Sequence, residues 1–199
     1  RNLDEYAAAK QRIFRGDGVM VLNADDPVVL TMAEKGRRIV RFTLGMPEAG
    51  DYGVRTQDDA AWLACGSDAL LPVAALRIPG SHNVANALAA LALGAALGLS
   101  MAAMLTTLRA FAGLPHRTQW VAERNRVTWY TDSKGTNVGA TLAAVSGMPG
   151  KVVLIAGGDG KVLAQPGSHP AIRTTANPST IFIFGLIDCP PFPGSQAPA

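Results

Sequence analysis

The stretch RVTWYTDSKGTNVGATLAAVSGMPGKVVLIAGGDGK, residues 126–161, decides the fold. Arg126 to Thr131 is dense in β-branched and aromatic side chains, the residue types that fit a pleated, half-buried surface. Thr136 to Ser146 is alanine-rich and free of proline, and reads as a helix. Lys151 to Ala156 is an almost unbroken apolar run of strand length that opens into Gly157-Gly158-Asp159-Gly160-Lys161. Strand, helix and buried strand over this length make a βαβ unit, which implies a parallel pair joined by a right-handed crossover. The class is therefore α/β.

Upstream, the same pattern recurs in a second piece. Arg1 to Arg15 reads as a helix with Asp4 and Glu5 in its first turn and Lys10, Arg12 and Arg15 toward its end, stopped by Gly16 to Gly18. Gly18 to Asn23 and Arg38 to Leu44 read as buried parallel strands. Between Tyr52 and Leu76, short apolar runs alternate with charged turns, as antiparallel strands do. Ser81 is placed to cap a helix running to about Gly98, and Ser100 to cap another ending near Phe111. Gly113-Leu114-Pro115 is a hinge by composition. Seven of the 13 prolines fall in the last 38 residues, where only Arg173 and Asp188 are charged; there the expectation is poor order and one strand, Thr180 to Gly185.

Composition excludes several classes. The 199 residues are 48% hydrophobic and 17% charged, which rules out a disordered polymer, a collagen and a disulfide miniprotein. The 18 basic residues against 15 acidic ones are scattered, without a basic run interleaved with aromatics, so no nucleic-acid surface is indicated. Cys65 and Cys189 lie far apart and form no metal-ligand set; reduced thiols and a cytoplasmic setting are the expectation. The longest apolar stretch, Val84 to Leu99, is shorter than the ~20 residues that span a bilayer, and its Gly94-x-x-x-Gly98 spacing reads as close helix contact in a packed core.

Three loops concentrate polar chemistry. Asn83 and Asn86, three apart at the start of a helix, share a face where their amides suit a nucleobase edge or a ribose; a capped helix with satisfied buried amides is the other reading. Asp132, Lys134 and Thr136 lie where a strand's carboxyl end meets a helix N-terminus, the place where open α/β sheets bind anions, with capping and a solvated lysine as the alternative. Gly157 to Lys161 lets backbone approach an anion, yet serves equally as a plain turn, and it is neither G-x-x-x-x-G-K-[ST] nor G-x-G-x-x-G. Lys10 by itself is a solvated helix lysine, and Asn23-Ala-Asp25-Asp26 reads as a cap for the helix that follows.

Taken in order, Asn23-Ala-Asp-Asp26, His82-Asn83-x-x-Asn86-Ala-Leu-Ala-Ala90, Gly113-Leu-Pro-His-Arg117, Asp132-Ser-Lys-Gly-Thr-Asn137 and Gly157-Gly-Asp-Gly-Lys161 resemble the Mur ligases, over about residues 1–161. The resemblance implies part of a central ATP-binding domain at 1–113, a mostly parallel sheet with helices plus a small antiparallel section. It implies the start of a Rossmann-like C-terminal domain at 114–161, closing on the central one at the hinge before His116, and leaves 162–199 as an atypical tail. It further implies an ATP- and Mg2+-dependent ligase that activates a carboxylate as an acyl phosphate and joins it to an amine. The substrates implied are UDP-N-acetylmuramoyl-L-alanine and D-glutamate, handled by a monomer.

By the same resemblance Lys10 is a carbamylated, metal-binding lysine; Asn83 and Asn86 are on the adenine side; Arg117, Asp132 and Lys134 surround ribose and phosphates; Thr136 and Lys161 face D-glutamate. Lys10, Lys134 and Lys161 form the implied catalytic set. The family's UDP-binding N-terminal domain and its glycine-rich ATP loop have no counterpart among these residues, and Thr131 stands where the family carries asparagine. A different Mur or folylpolyglutamate-type ligase, and a non-catalytic nucleotide-binding fragment, are the alternatives.

Overall fold

The computed structural model describes residues 3–135, 138–148, 150–156 and 180–184. The chain divides into two compact units, Arg1–Ala112 and Gly113–Ala199.

The first unit opens with helix α1 (Leu3–Gln11), continued by a single 3-10 turn to Phe14. Gly16, at φ +99°, ends it in a conformation open to glycine. Arg37 fixes the exit by donating to the carbonyls of Phe14 at 2.9 Å and Gly18 at 2.6 Å. Strand β1 (Met20–Asn23) follows, with Met20 and Leu22 wholly buried. A one-turn helix α2 (Pro27–Leu30) is capped by Asp26, whose Oδ1 accepts from the backbone N–H groups of Val28 and Val29 at 2.9 and 3.2 Å, so the expected capping role is observed. Its neighbour Asp25 accepts from the Thr43 hydroxyl and the Leu44 amide, which pins the β1 exit loop to the chain beyond β2 (Ile39–Phe42).

The five-stranded sheet runs β1-β2-β3-β4-β5, with β3 at Tyr52–Gln57, β4 at Ala60–Cys65 and β5 at Asp68–Pro72. β1, β2 and β3 pair in parallel, and β3, β4 and β5 in antiparallel fashion, so the parallel strands and the antiparallel section both stand where the sequence put them. Asp58 and Asp59 turn the β3–β4 hairpin at φ +49° and +59°, the left-handed pair that a two-residue hairpin loop needs.

Helix α3 (Ser81–Ala96) covers this sheet. Ala87, Leu88, Leu91 and Ala92 form one helical face that meets Tyr52, Leu63 and Leu71 in the core. Helix α4 (Met101–Ala110) packs beside it, and Ser100 caps α4 by accepting from the Ala103 amide. The two glycines of the Gly94-x-x-x-Gly98 spacing do different things. A Cβ on Gly94 would overlap the Met104 sulfur, so this position permits the close α3–α4 approach. Gly98, at φ +75°, closes α3: its N–H reaches the Ala95 carbonyl and the Leu99 N–H reaches that of Gly94, a Schellman closure.

Ser81 does not cap α3. The cap position is Gly80, at φ +100° and with no side-chain cap bond; its carbonyl accepts from the Asn83 and Val84 amides. Pro79 and the left-handed Gly80 set the entry angle, which leaves Ser81 inside the first turn and exposed.

The second unit holds a four-stranded sheet in the order β6-β7-β9-β8: β6 at Gln119–Arg124, β7 at Val127–Thr131, β8 at Val152–Ala156 and β9 at Thr180–Phe184. Helix α5 (Val138–Ser146) joins β7 to β8 and buries Ala144, which with Met148 meets Tyr130, Val152 and Leu154. The βαβ reading is correct in its elements and in their parallel sense. Its two strands are not neighbours, however, because β9 inserts between them and pairs in parallel with both. The strand expected at Thr180 is therefore observed, and the rest of 157–199 lies outside the described residues. Strand β6 goes beyond the sequence reading; it pairs antiparallel with β7 through a turn at Asn125 and Arg126, φ +53° and +62°, so Arg126 turns the chain instead of starting the strand.

Among the described residues, no helix is long and apolar enough to cross a membrane.

Candidate functional site

In the first unit the candidates are Asn83, Asn86 and Lys10. Asn83 is half-buried and its amide donates to the Pro79 carbonyl at 2.6 Å, so the backbone bend that starts α3 also fixes this side chain. Its Oδ1 accepts from Asn86 Nδ2 at 3.4 Å, which shows that the three-residue spacing does place both amides on one face. Asn83 thus spends its capacity inside the protein, whereas exposed Asn86 keeps a second N–H and its Oδ1 for a planar polar partner.

Lys10 lies exposed on α1 with its Nζ 5.3 Å from the centroid of the Tyr6 ring, a cation–π contact. An ammonium is a donor only and cannot ligate a cation. Among the described residues there is no group of three or more His, Cys, Asp or Glu side chains able to hold a metal ion. As an amine, then, Lys10 and its surroundings do not fit magnesium.

Two cavities of this unit contain none of the candidates. One of about 460 Å³ lies between α1 and α2, lined by Asp4, Ala7, Ala8 and Gln11 on the α1 face away from Lys10. The other, about 440 Å³, is lined by Ala24, Thr43, Glu48 and the ion pair of buried Asp51 with the partly exposed Arg41. Asp51 accepts both the Arg41 amide, at 2.7 Å, and its guanidinium, at 3.5 Å, so this carboxylate is spent on holding the β2–β3 crossover.

In the second unit Arg117, Asp132 and Lys134 come together at two adjoining loops. Asp132 follows the carboxyl end of β7 and is only 7% exposed. Its Oδ2 accepts from the hydroxyl of Thr118 at 3.2 Å, and its carbonyl accepts from Gly135 at 2.9 Å, closing the turn that leads toward α5. The loop before β6 is stitched to this turn a second time, where Lys134 N–H donates to the His116 carbonyl at 3.1 Å. His116 in turn donates its N–H to Gln119 Oε1 at 3.0 Å. Arg117, between the two stitches, is exposed, as is Lys134. The two loops thus carry two exposed cationic residues, Arg117 and Lys134, and one buried carboxylate, Asp132, the residue types that can receive an anion and a hydroxyl-bearing group.

Thr118 and Gln119 escaped the sequence reading. Neither carries a periodic or motif signal, and their part in the loops shows only in the hydrogen bonds. Thr136 and Lys161, with the Gly157-Gly158-Asp159-Gly160 turn, lie outside the described residues.

A Mur ligase middle domain model matches residues 1–94. UDP-N-acetylmuramoylalanine--D-glutamate ligase of Nitrosococcus oceani is 56% identical over 175 residues, covering 86% of this chain and 39% of that protein. The protein of the same name from Methylococcus capsulatus is 54% identical over 160 residues, covering 80% of this chain and 35% of its own length. The chain thus spans less than two-fifths of the length of these curated relatives. Among solved structures, MurF from Acinetobacter baumannii superimposes with a TM-score of 0.60 at 24% identity, over 77% of this chain and 35% of that one. A pseudomurein peptide ligase type C from Methanothermus fervidus gives 0.58 at 17% identity, over 78% and 40%. At such identities these structures speak for the fold alone, and the fold agrees with the sequence matches: the chain belongs to the Mur ligase family.

Proposed function

We propose that this chain is the nucleotide-handling part of an ATP-dependent ligase that joins D-glutamate to UDP-N-acetylmuramoyl-L-alanine, in the synthesis of a cell-wall precursor. The observation that carries the proposal is the 50–56% identity, over 78–86% of the chain, to eight relatives that all bear that ligase's name. A carboxylate is a poor electrophile. Phosphorylation by ATP turns it into an acyl phosphate, and the amine of D-glutamate then displaces phosphate to leave an amide, ADP and phosphate.

This chain's residues take the binding and charge-handling parts. Asn86, oriented by Asn83, reads the polar edge of adenine through its remaining donor and acceptor. Asp132 accepts from ribose hydroxyls, and Arg117 with Lys134 offsets phosphate charge, the kind of fixed cationic stabilisation that phosphoryl transfer depends on. Thr136 and Lys161 are assigned to the carboxylates of D-glutamate. Magnesium enters only through carbamylation of Lys10, which would make an anionic ligand of a cation, and no step here is routed through it. The 199 residues contain no G-x-x-x-x-G-K-[ST] loop, so the chain alone is proposed to have little or no ligase activity. A cytoplasmic monomer is part of the same reading.

The test is a chimera in which these residues replace the matching segment of the Nitrosococcus oceani relative. Phosphate release that needs D-glutamate, UDP-N-acetylmuramoyl-L-alanine and ATP together, and that falls at least 100-fold on Lys134→Ala, is the expected result. A folded chimera that releases no phosphate, or that accepts another amino acid in place of D-glutamate, contradicts it.

A further inference from the structure

Thr118 combines three features that no turn residue needs together. It is 6% exposed, it is a β-branched residue at φ +45°, and its hydroxyl donates to the buried carboxylate of Asp132 at 3.2 Å. Left-handed backbone is costly for a β-branched side chain and persists only where the surroundings impose it. His116, two residues earlier, is also left-handed, at φ +61°, and its carbonyl holds the Lys134 amide. Arg117 is thereby clamped between two strained residues, each tied to the loop that carries Asp132 and Lys134.

A carboxylate offers about four acceptor sites and rotates about its terminal bond when nothing holds it. The Thr118 hydroxyl occupies a site on Oδ2 and so fixes which carboxylate edge is left for a ligand. We infer that Thr118 is a positioning residue: it orients Asp132 toward the vicinal hydroxyls of a ribose and holds Arg117 beside it for the attached phosphate. The inference rests on the nucleotide reading given above and adds to it the residue that sets discrimination for ribose hydroxyls.

Valine is nearly isosteric with threonine and carries the same β-branch, so Thr118→Val keeps the left-handed β-branched backbone and removes the hydroxyl. Thr118→Ser keeps the donor. Calorimetric titration of the whole 199-residue chain with ADP and with 2′,3′-dideoxy-ADP separates the possibilities, with thermal melts beside it. The expected result is a 5- to 20-fold weaker affinity of Thr118→Val for ADP, a change under twofold for the dideoxy nucleotide, and recovery of ADP affinity in Thr118→Ser. Equal loss for both nucleotides would assign Thr118 a merely structural role and overturn the inference, as would ADP affinity unchanged in Thr118→Val. Absence of ADP binding by the parent chain would overturn the nucleotide reading itself and the inference with it, an outcome distinct from the other two.

Discussion

Asp26 and Tyr52 show how much single residues decide here. Asp26 caps the start of α2 by accepting hydrogen bonds from two backbone amides, and Asp26→Ala should cost about 1 kcal/mol in a denaturant titration, the usual loss for a good N-cap. Tyr52 is buried in the core opposite Cys65 on β4, and burial, with the Cys65 thiol as a lesser cause, pushes its phenol up to about 12 from an ordinary value near 10. The folded state therefore keeps a proton that the unfolded chain gives up above pH 10. This contribution is intact below pH 10 and is lost as pH rises through about 12. Melts between pH 9 and 12 should show stability declining over that window, and less steeply in Tyr52→Phe; an identical slope in the variant would exclude Tyr52 as the source. The sequence reveals the Asp26 cap and the Asn83–Asn86 face, because both follow from spacing along a helix. It conceals Thr118, whose partner lies 14 residues away across a loop, and the spent state of Asn83, whose amide is taken by the Pro79 carbonyl.

At the scale of elements, hydrophobic run length and alternation locate β1, β2, β7, β8 and the three longer helices after residue 80. Strand β6 eludes them because its burial is irregular: Trp120 and Val121 are both exposed and a bulge breaks the pairing near them. The turn that joins it to β7 is Asn-Arg, where hairpin readers look for Asn-Gly. Arg126 at φ +62° pays the left-handed penalty that glycine avoids. Arg126→Gly should accordingly raise stability by about 0.5–1 kcal/mol, measured as a higher urea midpoint with unchanged slope; a lower midpoint would mean that the arginine side chain holds the turn. The cap of α3 shows the opposite failing of local rules. Ser81 is the better capping residue by type, yet the Pro79-Gly80 bend moves the cap one position earlier and gives the first-turn bond to Asn83. The insertion of β9 between β7 and β8 is a tertiary choice, since a βαβ pattern fixes the parallel sense of two strands but leaves room for a third between them.

Across the whole molecule, the nucleotide candidates are divided between the units: Asn83 and Asn86 in residues 1–112, Arg117, Asp132 and Lys134 in residues 113–199. What the sequence makes plain at this scale is chemistry in order along the chain, and the structure adds that Asn83 and Asn86 are bonded directly while the loops of Arg117, Asp132 and Lys134 are joined through Thr118 and His116. The proposal to be tested is that Asn86, within the first unit, contributes to binding an adenine nucleotide. Calorimetric titration of ADP into the chain and into Asn86→Ala, with circular-dichroism melts of both, tests it most directly. The account predicts binding by the parent, at least tenfold weaker binding by Asn86→Ala, and matching cooperative melts, because Asn86 is exposed and its removal leaves the core intact. A cooperatively folded parent that binds no ADP, or an Asn86→Ala variant that binds it as tightly as the parent, would contradict it.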